Sequence, residues 1–435
     1  MLIPDHIPDS EPILRVGIVL PEDKRSTVNF FIHGKATIMA DDQYLQVESL
    51  PFGIEANAEG LSFIYRNVRM QAKYISVTPD DEHDHAEVWP VVAGRGFHWC
   101  KDITVKLISK LEFSLADGFI LLINELPLEQ YLASVATSEM SAACPEAMIE
   151  AQTIVARSWM LANVEKKHVN LGFDVCNDDC CQRFQGITHM TDHSLKAAEK
   201  TRGMVLMYDA KICDARYSKS CGGVMEKFEN LWEGEGLPYM QNLADAKNFA
   251  APDLTDEQEF RRWIHAQPEV FCSGHFIPEQ DLQQYLGNVD EAGHYFRWQT
   301  DIQQEELTSH INQKLGLNAA YIYSMEPLSR AGSGRMLELL ITYTDQSGTL
   351  HHITIYKDYH VRDILHPSFL YSSACLIEAG EIKEGIPASF RYTGGGWGHG
   401  AGLCQIGALG MSLHGYTVED ILSHYYPGSL LTTLY

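Results

Sequence analysis

The sequence predicts an α+β protein in which a β-rich N-terminal domain is followed by a mixed α/β region and a second lobe. Two observations carry this prediction: β-type runs fill residues 12 to about 90, and two helical patterns follow from residue 128. We expect four segments. They are a β-rich domain at 1–90, a core at 91–234, an α+β second lobe at 235–385, and a Gly-rich loop with a C-terminal helix at 386–435 that completes the core.

Short apolar or alternating runs predict the strands. "ILRVGIVL", "VNFFI", "YLQVESL" and "MQAKYISV" are separated by polar turns in the first 90 residues. From about residue 91, "ITVKLI", "LEFSLA" and "FILLIN" continue the pattern. Strands therefore lead the chain into its first helix.

Two helices are predicted next. The first begins near Pro127 and carries an apolar face at spacings of three and four, made of Leu128, Tyr131, Leu132, Val135 and Ala136. The second takes Pro145 as its first residue and has a four-residue stripe of Ala147, Ala151, Val155 and Trp159. Its small Ala residues favour close packing against a neighbouring helix.

The remaining elements follow from similar patterns. Helical segments "DEQEFRRWIHAQ" and "QEELTSHINQKLG" precede two strands, "MLELLITYT" and "HHITIYKD", which are joined across "DQSG". Near the C-terminus, Thr417 and Asp420 form a capping-box pattern, and Pro427 with Gly428 ends the helix that it starts.

Composition excludes several classes of function. The chain has 435 residues, 45% hydrophobic and 21% charged, which is ordinary for a globular protein. Lys and Arg total 33 and Asp and Glu 58, and the resulting formal charge of −25 argues against binding nucleic acid through phosphates or docking on anionic lipid. Because no apolar run reaches about 18 residues, no integral membrane segment is expected. The N-terminus shows no pattern of an export signal.

Glu139, in "TSEM", is the first candidate for chemistry. It lies four residues after Val135 and three after Ala136, so it continues the apolar face of the first helix. Burial disfavours the charged form of a carboxylate, and a carboxyl group that holds its proton near neutrality suits a general acid. The alternative is a Glu at a helix end whose side chain reaches water.

A Cys- and His-containing loop, "HVNLGFDVCNDDCCQRF", is the second candidate. His168, Cys176, Cys180 and Cys181 have a spacing that fits a tetrahedral zinc site, structural rather than catalytic. The alternatives are a disulfide in an exported protein, or reduced buried thiols in a protein that is not exported. No organic cofactor is expected.

Two further motifs suggest a ligand site. "ARYSKSCGG" offers Ser218, Ser220 and Cys221 as nucleophiles, but a turn that brings backbone close to a ligand is the preferred interpretation. "GGGWGHGAGLCQIGA" lacks the Lys of a phosphate loop. There Trp397 could stack on a sugar, and His399 and Gln405 could bond its hydroxyl or acetamido groups. The alternative is a Gly-rich turn with Trp397 anchored in the core.

Taken together, these stretches resemble the SpoIID/LytB family of bacterial cell-wall proteins over roughly residues 95 to 430. The matching pieces, in chain order, are "NELPLEQYLASVATSEM", "PEAMIEAQTIVARSWML", "DVCNDDCCQ", "YSKSCGG", "GSGR" at 332–335, "GGGWGHGAGLCQIGALGM" and "ILSHYYPG". The core at 91–234 would then be a SpoIID-like catalytic region.

The resemblance implies a lytic transglycosylase that acts on peptidoglycan glycan strands, in sporulating members on strands stripped of stem peptides. It makes Glu139 the catalytic acid and places metal ligands at Cys176 and Cys181, with His168 the nearest upstream His. Cys180 stands where many relatives have His. His399 and Gln405 would line the glycan groove with Trp397, and Arg157 and Ser220, which lie in matching pieces, join them as candidate substrate-binding residues.

One carboxylate is enough for this reaction. A hydrolase needs two carboxylates beside the scissile bond, whereas a single Glu suffices if a hydroxyl of the sugar itself attacks the anomeric carbon, leaving an anhydro-muramyl end. A non-catalytic peptidoglycan-binding amidase enhancer, with a cell-wall amidase as partner, is the alternative, and a zinc-dependent hydrolase is a third hypothesis. The family implies a location in the cell envelope, although the chain shows no signal peptide.

Overall fold

A computed structural model describes residues 2–3, 6–97, 100–162, 164–287, 290 and 293–435. Helices and strands are mixed along the chain, so the predicted α+β class is confirmed. The chain divides into two units, one of residues 1–214, 284–291 and 431–435 and the other of residues 215–283 and 292–430. The four predicted segments differ from these two units, and that division stays a prediction.

The first unit is mainly β-structure. Its strands are β1 (Ile13–Val19), β2 (Thr27–His33), β3 (Lys35–Ala40), β4 (Gln43–Glu48), β5 (Pro51–Asn57), β6 (Gly60–Tyr65), β7 (Val68–Ala72), β8 (Ile75–Pro79), β9 (His85–Ala93), β10 (Lys101–Leu107), β11 (Lys110–Ala116), β12 (Phe119–Pro127), β13 (Val175–Cys176), β14 (Met204–Tyr208) and β15 (Lys211–Ile212).

Two large sheets organise these strands. Over the described residues, one has the order β13-β1-β12-β11-β8-β3-β4 and the other β10-β9-β2-β5-β6-β7. β1 pairs with β12 antiparallel and with β13 parallel. Alternate residues of β2, which contains the predicted run "VNFFI", are buried, and so are alternate residues of β3. Strands before and after residue 90 therefore share one sheet.

Three helices complete this unit: α1 (Leu128–Glu139), α2 (Glu146–Ala162) and α3 (Asp192–Lys200). Pro127 and Pro145 immediately precede α1 and α2. Helix α1 is buried beyond its predicted apolar face, because Ser134, Thr137 and Ser138 are also buried. The hydroxyls of Thr137 and Ser138 donate to the Ser134 carbonyl at 3.1 and 2.9 Å, which satisfies these groups inside the unit.

A short segment from later in the chain joins the end of α1. Met140 bridges to Leu286, and the Ser141 N–H donates to the Tyr285 carbonyl at 2.9 Å. The end of the chain also belongs to this unit from residue 431 onward. There the Tyr435 hydroxyl donates to Glu129 at 2.7 Å.

The second unit contains the remaining elements. They are β16 (Tyr217–Ser218), α4 (Glu257–His265), α5 (Glu279–Leu282), β17 (Arg297–Gln303), α6 (Gln304–Leu315), β18 (Ala319–Arg330), β19 (Met336–Asp345), β20 (Leu350–Tyr356), α7 (Asp358–Leu365), β21 (Cys375–Ala379), β22 (Ile382–Lys383), β23 (Ile386–Pro387), β24 (Ser389–Gly395), β25 (Leu403–Cys404), α8 (Gln405–Leu413) and α9 (Val418–Tyr425). The last strand, β26 (Leu430–Thr433), begins at the final residue of the second unit and continues in the first unit.

Several local predictions in this unit are confirmed. The predicted helices at "DEQEFRRWIHAQ" and "QEELTSHINQKLG" are α4 and α6, and β19 and β20 form the predicted hairpin. Thr417 and Asp420 make the predicted capping box of α9. A core that includes Trp298, Leu339 and Phe390 lies between sheet and helix residues.

The helices were also compared with the length and hydropathy needed to cross a bilayer. In the part of the chain that the structure describes, none is both long and apolar enough to do so.

Candidate functional site

Glu139 is the last residue of α1 and is 7% exposed. Its Oε1 accepts a hydrogen bond from the Arg183 backbone N–H at 3.1 Å. The preceding residue, Ser138, accepts the Gln185 N–H with its Oγ at 3.2 Å, and in the first half of α1 the Tyr131 hydroxyl donates to Gln182 Oε1 at 3.1 Å. The stretch that follows Cys181 therefore contacts α1 at three points, two of them at the end of the helix.

Charged side chains surround this position. Arg183 Nη1 pairs with Asp290 Oδ1 at 2.5 Å, and its Nε pairs with Asp179. Burial raises the pKa of Asp179 to about 6, against the opposing charge of Arg183. The Arg183 cation is attracted by Asp179, Asp290 and Glu139, which keep its pKa raised in spite of its burial. Glu139 thus lies in a buried cluster of acids held around one cation.

The Cys- and His-containing loop brings its four predicted ligands together. One donor atom from each of His168, Cys176, Cys180 and Cys181 lies within 4.8 Å of the others. His168 Nε2 is 3.4 Å from Cys181 Sγ and 3.9 Å from Cys180 Sγ, and Cys176 Sγ is 3.0 Å from Cys180 Sγ. Three sulfurs and one imidazole nitrogen are a donor set typical of a closed structural zinc site, although the 3.0 Å between Cys176 Sγ and Cys180 Sγ is shorter than the separation of two sulfurs on one tetrahedral ion.

Neighbouring residues hold this loop in place. Cys176 lies on β13, beside Gly17 of β1. The His168 ring stacks on Phe173, with centroids 4.8 Å apart, and Asp178 accepts the backbone N–H groups of Gly94 and Arg95 at 2.9 and 2.6 Å. The ligand positions are therefore organised by the sheet and by side-chain packing.

Arg157 of α2 is completely buried. Its Nε and Nη2 donate to the two carboxylate oxygens of Glu129 at 2.9 and 2.5 Å, and its Nη1 donates to the Met204 carbonyl at 2.9 Å. These contacts give Arg157 a structural role in the first unit. Its assignment to substrate binding stays a prediction that no described contact supports.

In the second unit, the predicted turn and the Gly-rich loop pair with each other. The Ser220 N–H donates to the Trp397 carbonyl at 3.0 Å, and the Trp397 N–H donates to the Ser220 carbonyl at 2.8 Å. Gly222 permits this approach, since a Cβ there would lie 2.8 Å from the Gly396 nitrogen. Ser220 is fully buried, so its contribution is made through its backbone.

Trp397 is half-buried in an aromatic group of this unit. Its ring stacks on Tyr371, with centroids 4.0 Å apart and planes 16° from parallel, and it contacts Tyr295 at 4.7 Å. A partly accessible aromatic ring of this kind is suited to contact with the apolar face of a sugar.

His399 and Gln405 lie close to this group in the chain. Burial, followed by the charges of Arg216, Arg335 and Arg362, lowers the pKa of His399 well below its usual value, so the imidazole is neutral. His399 Nδ1 accepts the Ala401 N–H at 3.1 Å, which leaves the proton on Nε2. Gln405 begins α8 and is 1% exposed.

Sequence reasoning missed the charged residues that support these motifs. Arg335, in "GSGR", is fully buried and donates to the Gly398 carbonyl at 3.1 Å, and a Cβ at Gly400 would lie 2.4 Å from its guanidinium. Asp179 and Arg183 were overlooked beside the cysteines. Asp290 had no local signal, because its partner Arg183 is 107 residues away in the chain.

Two family models match the chain. Residues 116–208 match the model described as Stage II sporulation protein, SpoIID, and this range contains Glu139, Arg157 and the Cys- and His-containing loop. A second model, a domain of unknown function named DUF8618, matches residues 226–402.

The match at residues 116–208 confirms the resemblance to the SpoIID/LytB family, and the names of two relatives agree with it. An uncharacterized protein of Brachyspira hyodysenteriae is 25% identical over 74% of this chain and 72% of its own length. An amidase enhancer of Bacillus subtilis is 24% identical over 69% of this chain, and Stage II sporulation protein D of Bacillus amyloliquefaciens is 22% identical over 70% of it.

These matches differ in how much of each relative they cover. The aligned part is 74% of the stage II sporulation protein but 40% of the amidase enhancer, so the longer relative extends well beyond the SpoIID-like region shared with this chain.

Proposed function

We propose that the protein is a lytic transglycosylase that cleaves peptidoglycan glycan strands, with Glu139 as its catalytic residue. The observation that carries the proposal is the placement of Glu139 inside the SpoIID domain, buried at the end of α1 with one carboxylate oxygen fixed by the Arg183 N–H. Two of its named relatives are an amidase enhancer and a sporulation protein, which also supports a role in the cell wall.

One carboxyl group would perform both halves of the reaction. Glu139 gives its proton to the glycosidic oxygen as the bond to the anomeric carbon breaks. A hydroxyl of the same muramyl residue then bonds to that carbon and returns its proton to Glu139, so the strand ends in an anhydro sugar and no water is consumed. The Arg183 cation, on which the charge of Glu139 acts, would offset the negative charge that forms between these steps.

The other motifs would bind the glycan strand and hold the structure around Glu139. Trp397, on its aromatic stack, is the surface for a sugar ring, and His399 and Gln405 are its polar companions. The His168 and cysteine loop would hold a structural zinc ion, and the loop's direct continuation carries Arg183. Peptidoglycan strands are thus the expected partner, and the cell envelope is the expected location.

Incubation with peptidoglycan strands freed of stem peptides tests the activity. Mass spectrometry should find anhydro-ended fragments with the unaltered protein and with Glu146→Gln, an exposed acid on α2. Glu139→Gln should lower the rate by about 100-fold or more. Equal product from Glu139→Gln would remove Glu139 from the mechanism.

A non-catalytic amidase enhancer is the second candidate. It is favoured by the 24% identity to the amidase enhancer of Bacillus subtilis over 69% of this chain. On this alternative, the protein binds strands without releasing anhydro ends and accelerates a cell-wall amidase added to the same assay. Glu139→Gln would then leave that acceleration unchanged.

A further inference from the structure

A second cluster of metal-ligating side chains lies in the second unit. Cys221, Asp245, Cys272 and Cys404 are each at most 2% exposed, and one donor atom from each lies within 4.8 Å of the others. We propose that this cluster is a closed, structural zinc site with three thiolate ligands and one carboxylate ligand. The proposal stands independently of the function proposed above.

The distances suit a tetrahedral ion. Cys221 Sγ and Cys272 Sγ are 3.8 Å apart. Two sulfurs bound to one zinc ion at about 2.3 Å are separated by about 3.8 Å when the geometry is tetrahedral. The four ligands come from four separate stretches of chain, so an ion bound to them would cross-link these stretches.

Backbone N–H groups surround Cys404 Sγ in a way that favours a thiolate. Its Sγ accepts the N–H groups of Cys221 at 3.2 Å and Gly407 at 3.4 Å. Cys404 caps the nine-residue helix α8, whose N-terminal end favours negative charge. Cys221 Sγ likewise accepts the Gly223 N–H at 3.4 Å. Such N–H donors stabilise thiolates bound to metal.

Asp245 is oriented as a ligand. Its Oδ2 accepts the Cys272 N–H at 3.0 Å, and its Oδ1 accepts the Tyr425 hydroxyl at 2.6 Å. Gly407 leaves the space for this arrangement, because a Cβ there would lie 2.6 Å from Asp245 Oδ2. His424 Nε2 is buried 3.7 Å from Asp245 Oδ1 and has no hydrogen-bond partner among the described residues, so it is available to support the carboxylate.

Charge balance also favours a bound cation. Three thiolates and one carboxylate carry four negative charges, and one divalent ion leaves two. Arg297 lies close enough for the charges of Cys272 and Cys221 to act on its guanidinium. The positive charge of this group offsets one of the two negative charges that remain. Buried negative charge is costly unless a cation compensates it.

A disulfide is the competing explanation. Cys221 and Cys272 would have to move together from 3.8 Å to about 2.05 Å. With that bond formed, Cys404, which accepts two N–H groups, and Asp245 would both face an uncharged disulfide. A cavity of about 220 Å³ reaches Cys272 and provides a path of entry for an ion.

Metal content and ligand type test the proposal on the full chain. The protein is purified with reductant, dialysed against zinc and then against buffer, and its zinc is measured by plasma mass spectrometry. Replacing Cys176 and Cys181 together with Ser removes two of the four candidate ligands in the first unit. We expect this variant to keep about one zinc ion per chain, and X-ray absorption to find three sulfur ligands and one oxygen ligand.

Two additions to that background locate the ion. Cys404→Ser should abolish zinc retention, whereas Cys375→Ser, a buried thiol outside the cluster, should leave it unchanged. If Cys404→Ser fails to fold, Asp245→Asn serves instead and should weaken zinc in competition with a chelator by about tenfold or more.

Three results would overturn the proposal. They are a folded loop variant without zinc, a bound ion with another ligand set, and a Cys221–Cys272 disulfide in peptide mapping of protein purified without reductant. In the last case, reduction followed by zinc addition would have to fail to load the site. None of these results depends on cleavage of peptidoglycan.

Discussion

The Arg183 backbone N–H donates to Glu139 Oε1 at 3.1 Å, and Arg183 follows Cys181 by two residues. The position of the proposed catalytic carboxylate is therefore coupled to the conformation of the Cys- and His-containing loop. A loop that holds a metal ion would be a positioning element for Glu139, although it contributes no group to the reaction.

Loss of the loop metal should consequently lower the rate more than the affinity. Replacement of Cys176 and Cys181 with Ser should reduce kcat on glycan strands by about tenfold or more and leave KM within about twofold, because the proposed sugar-binding residues are unchanged. The control is Cys213→Ser, a buried thiol elsewhere in the first unit. Full activity in the metal-free loop variant would disprove the coupling.

Glu112 gives a prediction about pH. It pairs with Arg15 and Lys110 at 2.6 Å each. Burial alone would raise the pKa of Glu112, but the hydrogen bonds and charges of these partners lower it to about 2. The folded state thus favours the ionised form, and this stabilisation is present above about pH 4.5 and is lost as the pH falls toward 2.

The corresponding measurement compares thermal unfolding of the unaltered protein and Glu112→Gln at pH 7, 4.5 and 3. After allowance for solvent screening, the variant should be less stable by about 1–2 kcal/mol at pH 7, and the difference should shrink at pH 3. Glu55→Gln, which breaks an exposed pair with Arg69, should show little effect at any pH. A deficit independent of pH would contradict the assignment.

The buried pair of Arg157 and Glu129 predicts a structural defect. Arg157→Ala leaves the Glu129 carboxylate buried without its cation, which should cost about 3–5 kcal/mol of stability. Thermal unfolding measures this loss, and Arg262→Ala, in an exposed pair with Glu259, is the control. Glycan affinity of the folded variant, measured well below its unfolding temperature, should be unchanged. A selective loss of affinity would restore Arg157 as a substrate-binding residue.

For Trp397 we expect a loss of glycan affinity rather than a loss of stability. Trp397→Ala removes the ring that stacks on Tyr371 and should weaken binding of glycan strands by about tenfold. Trp397→Phe should retain much of the affinity, since an aromatic face remains. Tyr44→Ala, an aromatic residue 70% exposed in the first unit, is the control. Unaltered affinity in Trp397→Ala would place the sugar surface elsewhere.

Local patterns predicted much of the fold. The spacing of Leu128 and Val135 indicated α1, the run "VNFFI" indicated β2, and the capping box placed the start of α9. The burial of Ser134 and Ser138 could not be predicted this way, because it depends on elements that pack around α1 from distant parts of the chain.

In the candidate sites, too, local clusters were predictable from sequence, and contacts between distant residues were not. The four candidate ligands in the Cys- and His-containing loop lie within 14 residues, so their cluster was visible in the sequence. Cys221, Asp245, Cys272 and Cys404 span 184 residues, and only the fold brings them together. The partners of Glu139 were similarly hidden, because Arg183 contributes a backbone N–H, which any residue type except proline could supply.

The chain returns briefly to the first unit at residues 284–291, where Leu286 bridges to Met140 directly after Glu139. A gene fragment ending at residue 214 would therefore lack the strand-like partner of the residue beside the proposed acid. The first unit cannot be expressed whole from one uninterrupted coding segment without residues of the second, so a separate first unit requires complementing peptides or a circular permutation, whereas residues 215–430 contain the whole second unit.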